Sequence, residues 1–446
     1  MFRSITRRGG VALAAATVGM AGMSLAFAAP AGATGTPSGS NAKLIVGSGS
    51  QTSYDEMTAL GSLFNSAPGC DLTASTAVPL NLNCGQASKT AGTAGGEQGY
   101  NVSAENPLND YSVQAPAIGS GNGATVLQNA GAGSATSPVD FGRASSLKGN
   151  STVNRVKFAT DAVSWTTFNK VGGVKTAQSK VTNMSGADVK AIFLGTQSCT
   201  VKGVAYTMNW ICEGAKVSSP IKVYMAQSGS GTYSTWSSYI GLSSATSGAV
   251  ALAGNGDLAA HTNVFENQMA YISGQADAAN AIYFFSLGKF TTNCLGKKSS
   301  ALHCAGTPAT NFTTFGSIDG IVANASSVQG SGGGAGVTFP VTRGLYNMYS
   351  NSSATVPSSE AALNFVSEYG FLCKAGTATD INAYTGNSYR FDIEAAIKAQ
   401  GFFPLDVSGS PFSEGTVTYP AVLTDAAYTA IDPTTPTNGY CSVSHG

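Results

Sequence analysis

Charged side chains are scarce in this sequence. Asp, Glu, Lys and Arg make up 10% of its 446 residues, a low share for a cytosolic enzyme. No basic block occurs and the formal net charge is +0, so nucleic acid is not an expected partner. Histidine is scarcer still, with only His261, His303 and His445. No CxxC pair exists, so zinc-type ligand spacing is missing, and His303 beside Cys304 reads as incidental. There is no GxSxG elbow. With no nucleophile motif, no metal spacing and few histidines, neither an enzyme nor a cofactor is expected. The adjacent acids Asp55 and Glu56 would point in different directions on a helix and read as a solvated first turn.

Glycine, in contrast, is plentiful at 55 residues, and the surface is expected to be built from Gly, Ser, Thr and Asn. Hydrophobic residues at 43% support real cores, and the length suits two domains or lobes. Residues 1–33 have a basic start, an apolar middle and small residues at the end, the pattern of a secretory signal peptide. Cleavage is expected after Ala28 or Ala33, and Arg7-Arg8 leaves a twin-arginine route open. Losing Arg3, Arg7 and Arg8 would leave a mildly acidic mature chain. No Cys lies near this segment, so no lipid attachment is expected, and no later apolar run is long enough to span a bilayer. The expected location is extracellular or cell-wall associated.

Eight cysteines fit an exported, oxidised protein. Cys70 and Cys84, Cys199 and Cys212, and Cys294 and Cys304 are near neighbours, which leaves Cys373 with Cys441. Four disulfides in that order are expected, although the sequence permits other pairings.

The stretch 221–240, IKVYMAQSGSGTYSTWSSYI, carries the most information. Ile221, Val223 and Met225 alternate as in a strand. Gln227, Ser228, Gly229, Ser230, Gly231 and Thr232 form a turn, and Tyr233 opens a helix carrying Trp236, Tyr239 and Ile240. N–H groups at such a helix start are unpaired and favour negative charge, so the turn can hold an oxyanion. The plain alternative is an ordinary capped helix after a tight turn.

Similar devices recur. Residues 43–46 read as a strand, then Gly47 to Thr52 as a turn, then 54–64 as a helix. Ile118 is followed by the turn GSGNGAT and a short helix. Residues 137–146, SPVDFGRASS, read as a strand into a polar turn. Residues 156–168 read as a strand that carries the chain into a second lobe, and 337–341 as a strand that brings it back. Helices are expected at 186–195, 360–369 and 391–399. Residues 34–42 read as a flexible leader, and 70–99 as a stapled excursion. Tyr283, Phe284 and Phe285 read as core rather than a sugar platform. Strands alternate with helices, so the class is α/β.

Taken in order, VGSGSQT (46–52), IGSGNGA (118–124), VDFGRASS (139–146), IFLG (192–195) with Asn209-Trp210, SGSGT (228–232) and FPVTRGLY (339–346) resemble the phosphate-binding proteins of ABC importers, which have the type II periplasmic binding fold. The ordered set, spanning 43–405, carries the resemblance; no single motif does. It implies a two-lobe α/β fold closing like a hinge on one anion, with 43–160 and 341–446 in lobe 1 and 161–340 in lobe 2. It places Ser50, Gln51, Ser120, Ser230, Gly231 and Thr232 on the anion. Two positions depart from the family. Ser145 stands where the family has an aspartate that accepts the proton of phosphate. Ala226, beside Gln227, stands where it has an arginine. Losing an acceptor carboxylate removes the physical basis for rejecting sulfate. Arg143 is either a relocated positive charge or a surface or interdomain arginine, and Asp140 is expected to cap or pack.

The implied function is a secreted, monomeric solute-binding protein for phosphate or another small oxyanion, working with an ABC permease. Its binding set would be Ser50, Gln51, Ser120, Arg143, Ser145, Gln227, Ser230, Gly231 and Thr232. The alternative is a secreted or cell-surface binding protein that keeps the fold, takes another ligand or partner and has no transport role.

Overall fold

The computed structural model describes residues 47–66; 111–130 except 113 and 118; 141–149 except 148; 152–242 except 228; 264–295 except 265 and 268; 315–329; 338–350; 360–373 except 369; 382; 385–405; 412–419 except 415–416; and 441–444. The expected signal segment, residues 43–46, Asp140, the three histidines, Ser228 and Cys70, Cys84 and Cys304 lie outside the described residues.

The chain enters at β1 (Gly47–Gly49) and α1 (Tyr54–Ser66). So Gly47 to Gly49, read as turn, are strand, and the turn itself is Ser50 to Ser53. Met57, Leu60 and Phe64 are buried at helical spacing, which is why α1 forms. Next come β2 (Tyr111–Ser112), β3 (Gln114–Ala117) and α2 (Ser120–Ala130). The glycine-rich run at 120–125, expected as a turn, is helix. Glycine is a poor helix former, but a Cβ on Gly123 would lie 2.5 Å from Gly49 Cα, so close packing outweighs propensity.

β4 (Phe141–Ala144) leads to the long β5 (Val153–Thr167), in which all residues but Arg155 are buried. Burial on both faces marks a central strand. α3 (Gly186–Phe193) is capped by Ser185, whose side chain accepts from Asp188 N. The loop at 199–212 is a hairpin of Ser198–Val201 with Val204–Thr207.

β6 (Lys222–Val223), α4 (Gly231–Ile240) and β7 (Ala281–Ser286) follow. β8 (Thr342–Ser350) then runs antiparallel to β5, from Thr342 opposite Ala162 to Ser350 opposite Val153. The returning strand thus begins just after the expected 337–341. Pro340 has no N–H to give a ladder, and the pairing starts beyond it. α5 (Glu360–Val366) and α6 (Tyr389–Ala399) precede β9 (Phe403–Pro404) and β10 (Ser442–Ser444), both on β5.

The main sheet has the order β6-β7-β5-β8-β4-β1-β3-β2. It is mixed, so the chain is α/β as the sequence implies. β3, β1 and β4 are parallel, β6 is parallel to β7, and antiparallel β5 and β8 lie between these groups.

Apolar side chains form two clusters. One gathers buried residues from 162 to 341, and its centre stacks Trp236 on Phe284 at 5.4 Å. Tyr283, Phe284 and Phe285 are all buried in it. The other gathers residues between 57 and 159 and between 345 and 441, with Phe64 stacked on Phe365 at 4.9 Å. Cys199 pairs with Cys212 and Cys373 with Cys441, as expected. Cys294 is also disulfide-bonded.

Asp55 and Glu56 are not a solvated pair. Asp55 Oδ2 meets Lys289 Nζ at 2.5 Å, while Glu56 is fully buried. Neither Glu56 oxygen has a hydrogen-bond partner among the described residues. Burial pushes the Glu56 carboxyl well above its ordinary value; nearby Lys289 pulls it down in part, and Asp161 adds to the rise. The folded chain therefore keeps a proton that the unfolded chain loses above the ordinary glutamate value. This contribution makes stability fall as pH rises through that window. Glu56→Met should stabilise the protein by about 1 kcal/mol at pH 8, because it removes buried polar atoms that lack partners. It should also flatten the decline between pH 5 and pH 8 in urea unfolding. A variant less stable than wild type at both pH values would show that the carboxyl has a partner.

Candidate oxyanion site

Parallel pairing brings the turns together. Gly47, Ser48 and Gly49 lie opposite Phe141, Gly142 and Arg143, so the turns after β1 and β4 leave the same sheet edge. Gly49 has φ +128°, and a Cβ there would sit 2.2 Å from Arg143 O. With no Cβ, Ser50 N can donate to Arg143 O at 2.9 Å. The turn after β3 joins them through Gly119 N, which donates to Gly49 O at 2.9 Å. The turn before α4 follows β6, the strand at the far end of the sheet order, and Gly121 N donates to Gly229 O at 3.1 Å.

The result is a buried cluster of hydroxyls. Ser145 N donates to Ser120 Oγ at 2.9 Å. Ser50 Oγ lies 3.0 Å from Ser145 Oγ. Gly231 sits against both Ser120 and Ser145, and a Cβ on it would be 2.4 Å from each hydroxyl. Ser230 caps α4 by accepting from Tyr233 N at 3.1 Å.

A carboxylate sits at the focus of this cluster. Glu266 Oε1 accepts from Thr232 N at 2.9 Å, from Ser145 Oγ at 3.1 Å and from Thr232 Oγ1. Glu266 Oε2 lies 3.3 Å from Ser50 Oγ. Arg343 Nη1 donates to Thr232 Oγ1 at 2.7 Å and is 3.9 Å from Glu266 Oε1. Arg343 is itself held by Asp161 Oδ2, at 3.0 Å from Nε and 2.7 Å from Nη2. Burial works to raise the Glu266 pKa, but Arg343 and the Thr232 hydroxyl and amide outweigh it and hold the carboxyl below its ordinary value. Glu266 is therefore ionised at neutral pH. This cluster consists of donors arranged around one anion, with a guanidinium behind them.

The structure brings Ser50, Ser120, Ser145, Gly231 and Thr232 together. Ser230 contributes as a helix cap. Gln51 is buried, and its Oε1 has no partner among the described residues. Gln227 bonds through its backbone, donating to Val264 O at 2.9 Å and accepting from Ser230 N at 3.0 Å. Arg143 donates to Gly47 O at 2.6 Å and to Ser50 O at 3.4 Å, bonds that brace β1 and its turn. The guanidinium that reaches the Thr232 hydroxyl is that of Arg343. Two residues of the cluster, Glu266 and Arg343, were not expected from the sequence. Arg343 left a signal, since an arginine inside an apolar strand run must be paired if buried. Glu266 left none. Among the described residues no cluster of His, Cys, Asp and Glu could hold a metal, and no helix is long and apolar enough to cross a membrane.

No family model and no curated sequence matches the chain. It is similar in structure to several solved proteins. One is described as a substrate-binding protein of a phosphate ABC transporter from Clostridium perfringens, with bound phosphate. It is 14% identical, with a TM-score of 0.45, covering 81% of this chain and 99% of that one. An ABC-type phosphate transport receptor from Vibrio cholerae is 15% identical, with a TM-score of 0.37, covering 73% and 98%. PstS from Borrelia burgdorferi is 14% identical, with a TM-score of 0.35, covering 81% and 98%.

Proposed function

We propose that this chain is an exported solute-binding protein that takes a small oxyanion, phosphate first among them, in the Ser50–Ser145–Thr232 cradle. One observation carries the reading: two serine hydroxyls and the amide and hydroxyl of Thr232 already converge on a carboxylate, with Arg343 behind them. Such a site binds by charge-assisted hydrogen bonds in a place closed to water, and it needs no cofactor. Residues 43–160 with 341–446 and residues 161–340 would be the two lobes, opening and closing about the crossing strands β5 and β8. Residues 1–33 would direct export, and an ABC permease would receive the anion from a monomer. The same carboxylate also favours a second reading. The cradle could be a saturated polar core in a secreted binding protein with another ligand and no transport role.

Isothermal titration of the purified protein with phosphate, and with sulfate as control, separates these readings. Phosphate binding without a sulfate response supports uptake or scavenging of phosphate. Equal binding of both marks a general oxyanion site. No heat from either rejects phosphate and sulfate as ligands of the wild-type cradle and favours the second reading.

A further inference from the structure

We propose that Glu266 is an internal competitor for the cradle, and that an external oxyanion binds only by displacing its carboxylate. This inference rests on the oxyanion reading above. The donors that would hold a ligand are already engaged. Thr232 N, Thr232 Oγ1 and Ser145 Oγ meet one oxygen of Glu266, and Ser50 Oγ lies within reach of the other. Each hydroxyl has a single proton, so it cannot donate fully to Glu266 and to a second anion at once. Nor is there open space beside the carboxylate. Ser50, Ser120, Ser145, Thr232 and Arg343 are 0% exposed and Glu266 is 1% exposed. Two anions packed together there would also repel each other at short range with little solvent between them.

The competitor is fastened in place. On one side, Val264 bridges Ala226, and its carbonyl accepts from Gln227 N at 2.9 Å. On the other, Asn267 Nδ2 donates to Thr52 Oγ1 at 3.0 Å, and Asn267 Oδ1 accepts from Ser286 N at 3.0 Å. A short tether gives the carboxylate a high effective concentration, on the order of millimolar or above. An external anion must overcome that advantage. A monocarboxylate offers the donors nothing that Glu266 lacks. A tetrahedral dianion brings more charge and more acceptor oxygens. Glu266 therefore acts as a threshold that admits phosphate-like anions and turns away simple carboxylates, which makes it a specificity-determining residue.

The test titrates inorganic phosphate and acetate into the purified full chain, as wild type, Glu266→Ala and Glu266→Gln. Glu266→Ala should bind phosphate at least about tenfold more tightly than wild type and should gain measurable acetate binding, since the tethered competitor is gone. Glu266→Gln keeps the shape without the charge and should also bind phosphate more tightly. It decides the matter if the alanine variant does not fold. Wild type that binds phosphate as well as or better than the folded variants would overturn the inference while leaving the oxyanion reading intact. No phosphate binding by any of the three would overturn both.

Discussion

Arg343→Met should destabilise the protein by about 3–5 kcal/mol, the usual consequence of removing one partner from a buried ion pair. The reason lies in what remains. Asp161 is fully buried, and Arg343 supplies two of its contacts, both to Oδ2. Ser286 Oγ at 2.8 Å and Gly288 N at 3.2 Å would be left to hold the charge alone. Neither is a cation. The same substitution removes the donor to Thr232 Oγ1 and the positive charge nearest Glu266. Urea unfolding should show the loss as a lower midpoint. The double variant Asp161→Asn, Arg343→Met should recover a large part of it, because no isolated charge is left behind. Stability of the single variant within about 1 kcal/mol of wild type would mean that the pair is not buried as described.

Gly231→Ala should destabilise the fold by about 1–3 kcal/mol through overpacking and should remove measurable oxyanion binding. The added methyl would sit 2.4 Å from the hydroxyls of Ser120 and Ser145 and 3.0 Å from Ser145 C. A serine hydroxyl is one bond from its Cβ and cannot retreat far. One of these hydroxyls donates to Glu266, so moving it misaligns the cradle. In a Ser120→Ala, Ser145→Ala background the same glycine change should cost clearly less, and a thermal-unfolding cycle measures that coupling. Equal cost in both backgrounds would place the conflict elsewhere.

Much of the frame is legible in the sequence, for local reasons. α1 shows itself by the spacing of Met57, Leu60 and Phe64, α3 by the run GADVKAIF with Asp188 near its start, and α4 by Ser230 ahead of Trp236 and Ile240. The first residues of α2, 120–125, do not, because they are held in the helix by close packing of Gly123 on Gly49 against their own preference. The hydroxyl part of the site is legible for the same local reason: Ser, Gly and Thr gather where strands end. Its charged part is not. Thr232 meets Glu266 across 34 residues and Arg343 across 111, and no local pattern records such a meeting. Glu56 fails in the opposite direction. Beside Asp55 it looks like a surface acid, and only the helix orientation places it inside.

The pairing of β10 with β5 constrains how the chain can be made. Ser442, Val443 and Ser444 lie opposite Lys157, Val156 and Arg155, so the middle of the sheet takes one of its strands from far along the chain. A chain that emerges from its N-terminus first cannot complete this sheet until residues 442–444 have emerged. Residues 155–157 must wait for residues 442–444 before that edge is covered, and contacts so distant in sequence form slowly. Until then the centre of the sheet offers an open edge to any other strand. Replacing Val443 with proline, which cannot donate to the ladder, should therefore harm yield and solubility more than one residue suggests.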